Sequence, residues 1–79
     1  MKEYLATFHT HLAALMTVKT FEQHGICGRL APVPRSVSSS CGTCMFYSAA
    51  EPMLALLDED AEGVFEITGN GYERVYENE

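Results

Sequence analysis

The chain has 79 residues, of which 47% are apolar and 20% charged. That is one small domain, residues 1–79, too apolar for a disordered chain. A chain this short buries only about 60% of its unfolded surface, which excludes a large enzyme with a deep pocket and a self-contained dinucleotide-binding domain.

The net charge is −6 and the acid is uneven: nine of the eleven carboxylates fall within 51–79, where Arg74 is the one base. Phosphate binding needs clustered Lys and Arg, so the expectation is no nucleic-acid partner. The longest clean apolar runs, Leu12–Met16 and Met53–Leu57, have five residues each, against the ~20 that span a bilayer. The start, MKEYLATFHTH, lacks a signal-peptide pattern. The expected location is therefore cytoplasmic, away from membrane, with the three cysteines reduced.

In chain order, residues 3–8 (EYLATF) alternate as a strand, with Tyr4, Ala6 and Phe8 on one face and Leu5 and Thr7 on the other. Thr10 suits the N-cap of a helix near 10–24. Leu12, Leu15, Met16, Val18 and Phe21 are spaced as its buried face, and Gly25 ends it with His24 in the last turn. Residues 26–33 (ICGRLAPV) predict a second strand holding Cys27 as a small core residue; Pro32 and Pro34 bar a central position at its far end. RSVSSSCGT is a loop, and CMFYS (44–48) a short third strand. Pro52 fits the first position of a second helix over 51–60, buried through Met53, Leu54, Leu56 and Leu57, although Asp58, Glu59 and Asp60 suit a helix end poorly. VFEI is a fourth strand. The turn TGNG (68–71) returns YERVY (72–76), whose Tyr72 and Tyr76 read as packing or a dimer edge. The order β-α-β-β-α-β predicts an α+β, ferredoxin-like sandwich: one antiparallel sheet, two helices on a single face, and a C-terminal edge strand as an extra. A thin core and an open edge make a homodimer an expectation too.

Chemistry concentrates in Pro32–Cys44, PVPRSVSSSCGTC. Gly42 permits a tight bend beside Cys41, and the backbone N–H groups around Ser39, Ser40 and Gly42 can form a nest that favours a thiolate. Arg35 can add a cation, and each effect lowers a thiol pKa. The bland alternative is that Cys41 and Cys44 are small buried apolar residues. On the residues alone, Cys41 is expected to be the most reactive thiol, Cys27 shielded and Cys44 intermediate.

The run Pro32-Val33-Pro34-Arg35, followed by Ser38-Ser39-Ser40-Cys41-Gly42, resembles the selenium/sulfur carrier protein-like family of short bacterial domains. YLATFHTHLAAL and EQHGI extend the likeness over nearly the whole chain. The resemblance implies a carrier rather than a stand-alone enzyme. Sulfur or selenium would be held as a persulfide or selenopersulfide on Cys41, without a cofactor, and exchanged with donor and acceptor proteins such as a cysteine desulfurase. Cys41 and Cys44 are then the reacting residues; Arg35, Ser39, Ser40 and Gly42 form the surrounding site. Cys44 could resolve the loaded species as a Cys41–Cys44 disulfide, or the pair could serve thiol–disulfide exchange.

Two alternatives stand beside this. Cys41-x-x-Cys44 has the spacing of zinc ligands, with His9, His11 and Cys27 as candidates to complete a site, although their bland readings are helix-start polar residues and a core thiol. A structural or regulatory dimerisation module is the other. There is no P-loop, dinucleotide fingerprint or EF-hand spacing, and no general base is evident for the serines.

Overall fold

The computed structural model describes residues 1–37 and 42–77. The chain runs β1 (Lys2–Phe8), α1 (His11–Gln23), β2 (Arg29–Pro32), β3 (Thr43–Ala49), a single 3-10 turn (Leu54–Leu56), β4 (Ala61–Thr68) and β5 (Gly71–Glu77). The strands form one sheet in the order β2-β3-β1-β4-β5, every neighbouring pair antiparallel. β1 and β2 are thus parallel with β3 between them, a split β-α-β unit.

The first strand alternates as its sequence does. Tyr4, Ala6 and Phe8 face α1, together with Met45, Tyr47 and Ala49 of β3 and Ala61 and Val64 of β4. The other face holds Leu5, Cys44 and Phe65, with Val37 laid over them from the segment after β2. Among the described residues no helix covers this second face, and long side chains cap it. The Arg29 guanidinium stands 5.8 Å from the Phe46 ring centroid, and that of Arg74, paired with Glu77, 5.0 Å from Phe65.

Thr10 caps α1, its hydroxyl accepting from the Ala13 N–H at 3.1 Å. At the other end Gly25, at φ +77, lets the chain turn back, and the Ile26 N–H donates to the Phe21 carbonyl at 2.9 Å. The buried face differs from the one the spacing predicts. Ala13, Ala14, Thr17 and Phe21 face the sheet, whereas Leu12, Leu15 and Met16 are 67%, 40% and 48% exposed. The sheet supplies the bulk here. Tyr4 and Tyr47 stack at 5.4 Å, so the first turns of the helix approach through Ala13, Ala14 and Thr17, and Phe21 meets Tyr47 edge-on at 4.8 Å near its end.

The two-helix ferredoxin-like sandwich is corrected to one helix on a five-stranded sheet. Over 51–60 no second α-helix forms. Met53 takes a left-handed conformation (φ 57, ψ 43), and only Leu54–Leu56 coil. Polar groups from the core hold the backbone out of a helix. The Tyr47 hydroxyl donates to the Pro52 carbonyl at 2.6 Å, and the Thr17 hydroxyl accepts from the Asp58 N–H at 3.1 Å. Asp58 and Asp60 close a turn of their own, the Asp58 carboxylate accepting from the Asp60 N–H. Met53, Leu56 and Leu57 still pack on the helix-side core. No helix among the described residues is long and apolar enough to cross a membrane. The TGNG turn forms as expected, and β5 is a complete edge strand.

Candidate functional site

β2 and β3 are neighbours because Pro32 pairs with Thr43, and the connection between them closes just beyond that pair. The Val33 N–H donates to the Gly42 carbonyl at 3.2 Å, and the Val37 N–H to the Pro34 carbonyl at 3.0 Å. Proline fixes φ in the turn that follows, so the entry is stiff. Arg35 and Ser36 stand exposed at this turn while Val37 is buried against Leu5, Cys44 and Phe65. Gly42 is exposed at φ +74, a conformation side-chain-bearing residues seldom adopt, which accounts for a glycine directly after Cys41. Ser38, Ser39, Ser40 and Cys41 lie outside the described residues. Of the residues assigned to the site, Arg35, Gly42 and Cys44 can therefore be placed.

Cys44 sits on the second face of the sheet, opposite Thr7 on β1 and Ala31 on β2. It is fully buried, and its Sγ makes a weak hydrogen bond to the Pro32 carbonyl at 3.7 Å. The intermediate accessibility expected of it is not found. The sequence spacing left its face open, and pairing with Thr7 turns it inward. Cys27 departs the other way. β2 begins only at Arg29, so Cys27 precedes the ladder and is exposed. It borders a shallow cleft of about 370 Å³ together with Met1, Glu3, Arg29 and Phe46. Ala31 is the residue opposite Cys44, and Cys27 lies four positions earlier in the chain, outside the ladder.

The remaining ligand candidates for a metal are also dispersed. The His9 Nδ1 is 3.5 Å from the Glu62 carboxylate, and the His11 Nδ1 is 3.3 Å from the Thr43 hydroxyl. Among the described residues no group of three or more His, Cys, Asp or Glu side chains is arranged to hold a metal ion. The His11 contact has another meaning that its sequence position does not reveal. It ties the first residue of α1 to the start of β3, two residues past Cys41.

No solved structure matches the chain. A curated protein of Escherichia coli (strain K12), named "Uncharacterized protein YtiA", is 33% identical over 48 residues; these cover 61% of this chain and 56% of that protein. The chain thus spans little more than half the length of this relative. The sequence model of one family, described as "Putative Se/S carrier protein-like", matches residues 3–69, from β1 through the Pro-rich turn and Cys41 to the β4–β5 hairpin. On that match the chain belongs to the Se/S carrier protein-like family.

Proposed function

We propose that the chain carries sulfur or selenium as a persulfide or selenopersulfide on Cys41. The observation that carries this reading is the family match across residues 3–69, which includes the whole Pro32–Cys44 segment. The burial of Cys44 supports Cys41 over Cys44, since an outside donor meets no exposed sulfur at Cys44; Cys27 is exposed but lies outside the Pro32–Cys44 segment on which the reading rests. In loading, the Cys41 thiolate attacks the outer sulfur of a donor persulfide. The donor S–S bond breaks, its thiolate leaves, and Cys41–S–SH forms with no net oxidation. Unloading repeats the exchange on an acceptor thiolate. Cys44 offers a second exit, attacking the inner sulfur of the loaded Cys41 to form a Cys41–Cys44 disulfide and expel HS⁻. Because Cys44 is sealed in the second cluster, that exit requires local opening around Val37 and Phe65.

The test is intact mass after incubation with a cysteine desulfurase and cysteine. The wild-type chain should gain one sulfur atom that a thiol reductant removes. Cys41→Ser should gain none with its fold intact, and Cys44→Ser should load normally but unload more slowly. Persistent loading of Cys41→Ser would sink the assignment.

A further inference from the structure

A helix packed on a small sheet turns its bulky residues inward. α1 does so with Phe21, which is fully buried, but leaves three other large apolar residues outside. Leu12, Leu15 and Met16 are exposed, and with Lys19 they fall within about 100° of arc on the solvent side. Scattered exposed apolar residues need no explanation, but the spacing i, i+3, i+4 is the one with which a helix seats in a groove. The surroundings are unusual for a chain of net charge −6. The first turn of α1 holds no acid, and Glu22 near its end is the helix's one carboxylate. Lys19, midway across the stripe, has no ion-pair partner among the described residues. The stripe also starts beside Thr43, where β3 leaves the segment that holds Cys41. His11, the residue before Leu12, bonds to Thr43, the first residue of β3, which follows Cys41 by two positions in the sequence.

We propose that the outward stripe of α1 (Leu12, Leu15, Met16 and Lys19) docks the protein that donates the persulfide to Cys41. The donor meets it with an apolar groove carrying a carboxylate opposite Lys19. This rests on the carrier reading above. Three partly exposed apolar side chains fall short of the ~800 Å² per partner that a standard stable interface buries. They suit a transient encounter, which a carrier that must leave its donor after each transfer requires. A second copy is the poorer occupant: stripe against stripe it would set Lys19 against Lys19, and the cleft it offers beside Glu3 also carries Arg29, which repels Lys19.

The test compares two loading routes. Leu12→Gln/Leu15→Gln/Met16→Gln and Lys19→Glu are made, with far-UV circular dichroism and melting midpoint confirming that each stays folded. Initial rates of persulfide formation on Cys41 are read by intact mass, once with inorganic polysulfide and once with a cysteine desulfurase plus cysteine. Polysulfide should load both variants within twofold of wild type. Enzymatic loading should fall at least tenfold in the triple variant and at least threefold in Lys19→Glu. Equal rates by both routes overturn the proposal, as does a parallel loss by both. Enzymatic failure on the wild-type chain that polysulfide still loads overturns it too, as does a wild-type dimer that the triple variant dissociates in sedimentation. If neither route loads wild-type Cys41, the carrier reading itself fails and the docking proposal falls with it.

Discussion

Phe21 and Leu12 are both large apolar residues of α1, and the fold assigns them opposite energetic weights. Phe21 is fully buried and set edge-on against Tyr47. Phe21→Ala removes its transfer free energy and leaves a cavity under α1, a loss of about 3–5 kcal/mol. A chain of 79 residues at ~0.05–0.15 kcal/mol per residue has about 4–12 kcal/mol in all, so this one change removes a large fraction of it. Leu12 is 67% exposed. Leu12→Ala should stay within about 0.5 kcal/mol, since leucine and alanine differ little in helix propensity. Had Leu12 been the core residue that its spacing suggests, the same change would cost about 2–5 kcal/mol. Urea unfolding followed by circular dichroism separates the cases, provided the slope with denaturant is unchanged. A loss of 2 kcal/mol or more for Leu12→Ala, or of less than 1 for Phe21→Ala, would refute the assignment of faces.

Three further outcomes follow from the same packing. Burial, and secondarily the neighbouring Tyr4, holds the Tyr47 phenol well above its usual range. The neutral phenol therefore contributes its full stability below the ordinary value of ~10 and loses it as pH climbs above that toward the folded-state value. Tyr47→Phe should cost about 1–2 kcal/mol at neutral pH by orphaning the Pro52 carbonyl, and should flatten the alkaline fall in the urea midpoint that wild type shows. In Gly63→Ala the new Cβ would stand 2.8 Å from the Tyr76 carbonyl oxygen, forcing β4 and β5 apart; a loss of about 1–3 kcal/mol in thermal unfolding is expected, against little change for Gly69→Ala, where the Cβ meets open space. With limiting alkylating reagent on the folded chain, peptide mapping should find Cys27 labelled and Cys44 protected until denaturant is added. Equal early labelling of these two would contradict the register that buries Cys44.

What the sequence discloses follows from where its signals are local. The alternation in residues 3–8 assigns both faces of β1, the Thr10 hydroxyl marks the start of α1, and TGNG marks the last hairpin. The face of α1 is not local. The run LAALM is apolar all round, and what selects Ala13, Ala14 and Thr17 is the aromatic bulk that Tyr4, Phe8 and Tyr47 bring from distant strands. The second helix fails for a similar reason. Met53–Leu57 has a helical stripe, but the hydroxyls of Thr17 and Tyr47, from α1 and β3, take backbone groups of Asp58 and Pro52 into other bonds. In the site, Pro-rich stiffness and the turn at Gly42 can be read from residue type. The inward face of Cys44 depends on its register against Thr7, and the exposure of Cys27 on β2 starting two residues later. The contact of His11 with Thr43 joins positions 32 apart and leaves no pattern in the chain.

The strand order has a kinetic consequence. β1 comes first in the chain yet lies at the centre of the sheet, and its partners begin at Thr43 and Ala61. Both of its ladders therefore close loops of some 35 residues or more, and the entropy of each closure is spent before the central strand gains a neighbour. The hairpin β4–β5 needs only the two-residue link Gly69–Asn70 and can form in isolation from the rest. Capture of β1 between β3 and β4 is therefore the step expected to set the rate of folding. Mutations that weaken those two ladders slow folding, whereas changes to the outer edge of β5 act chiefly on the rate of unfolding.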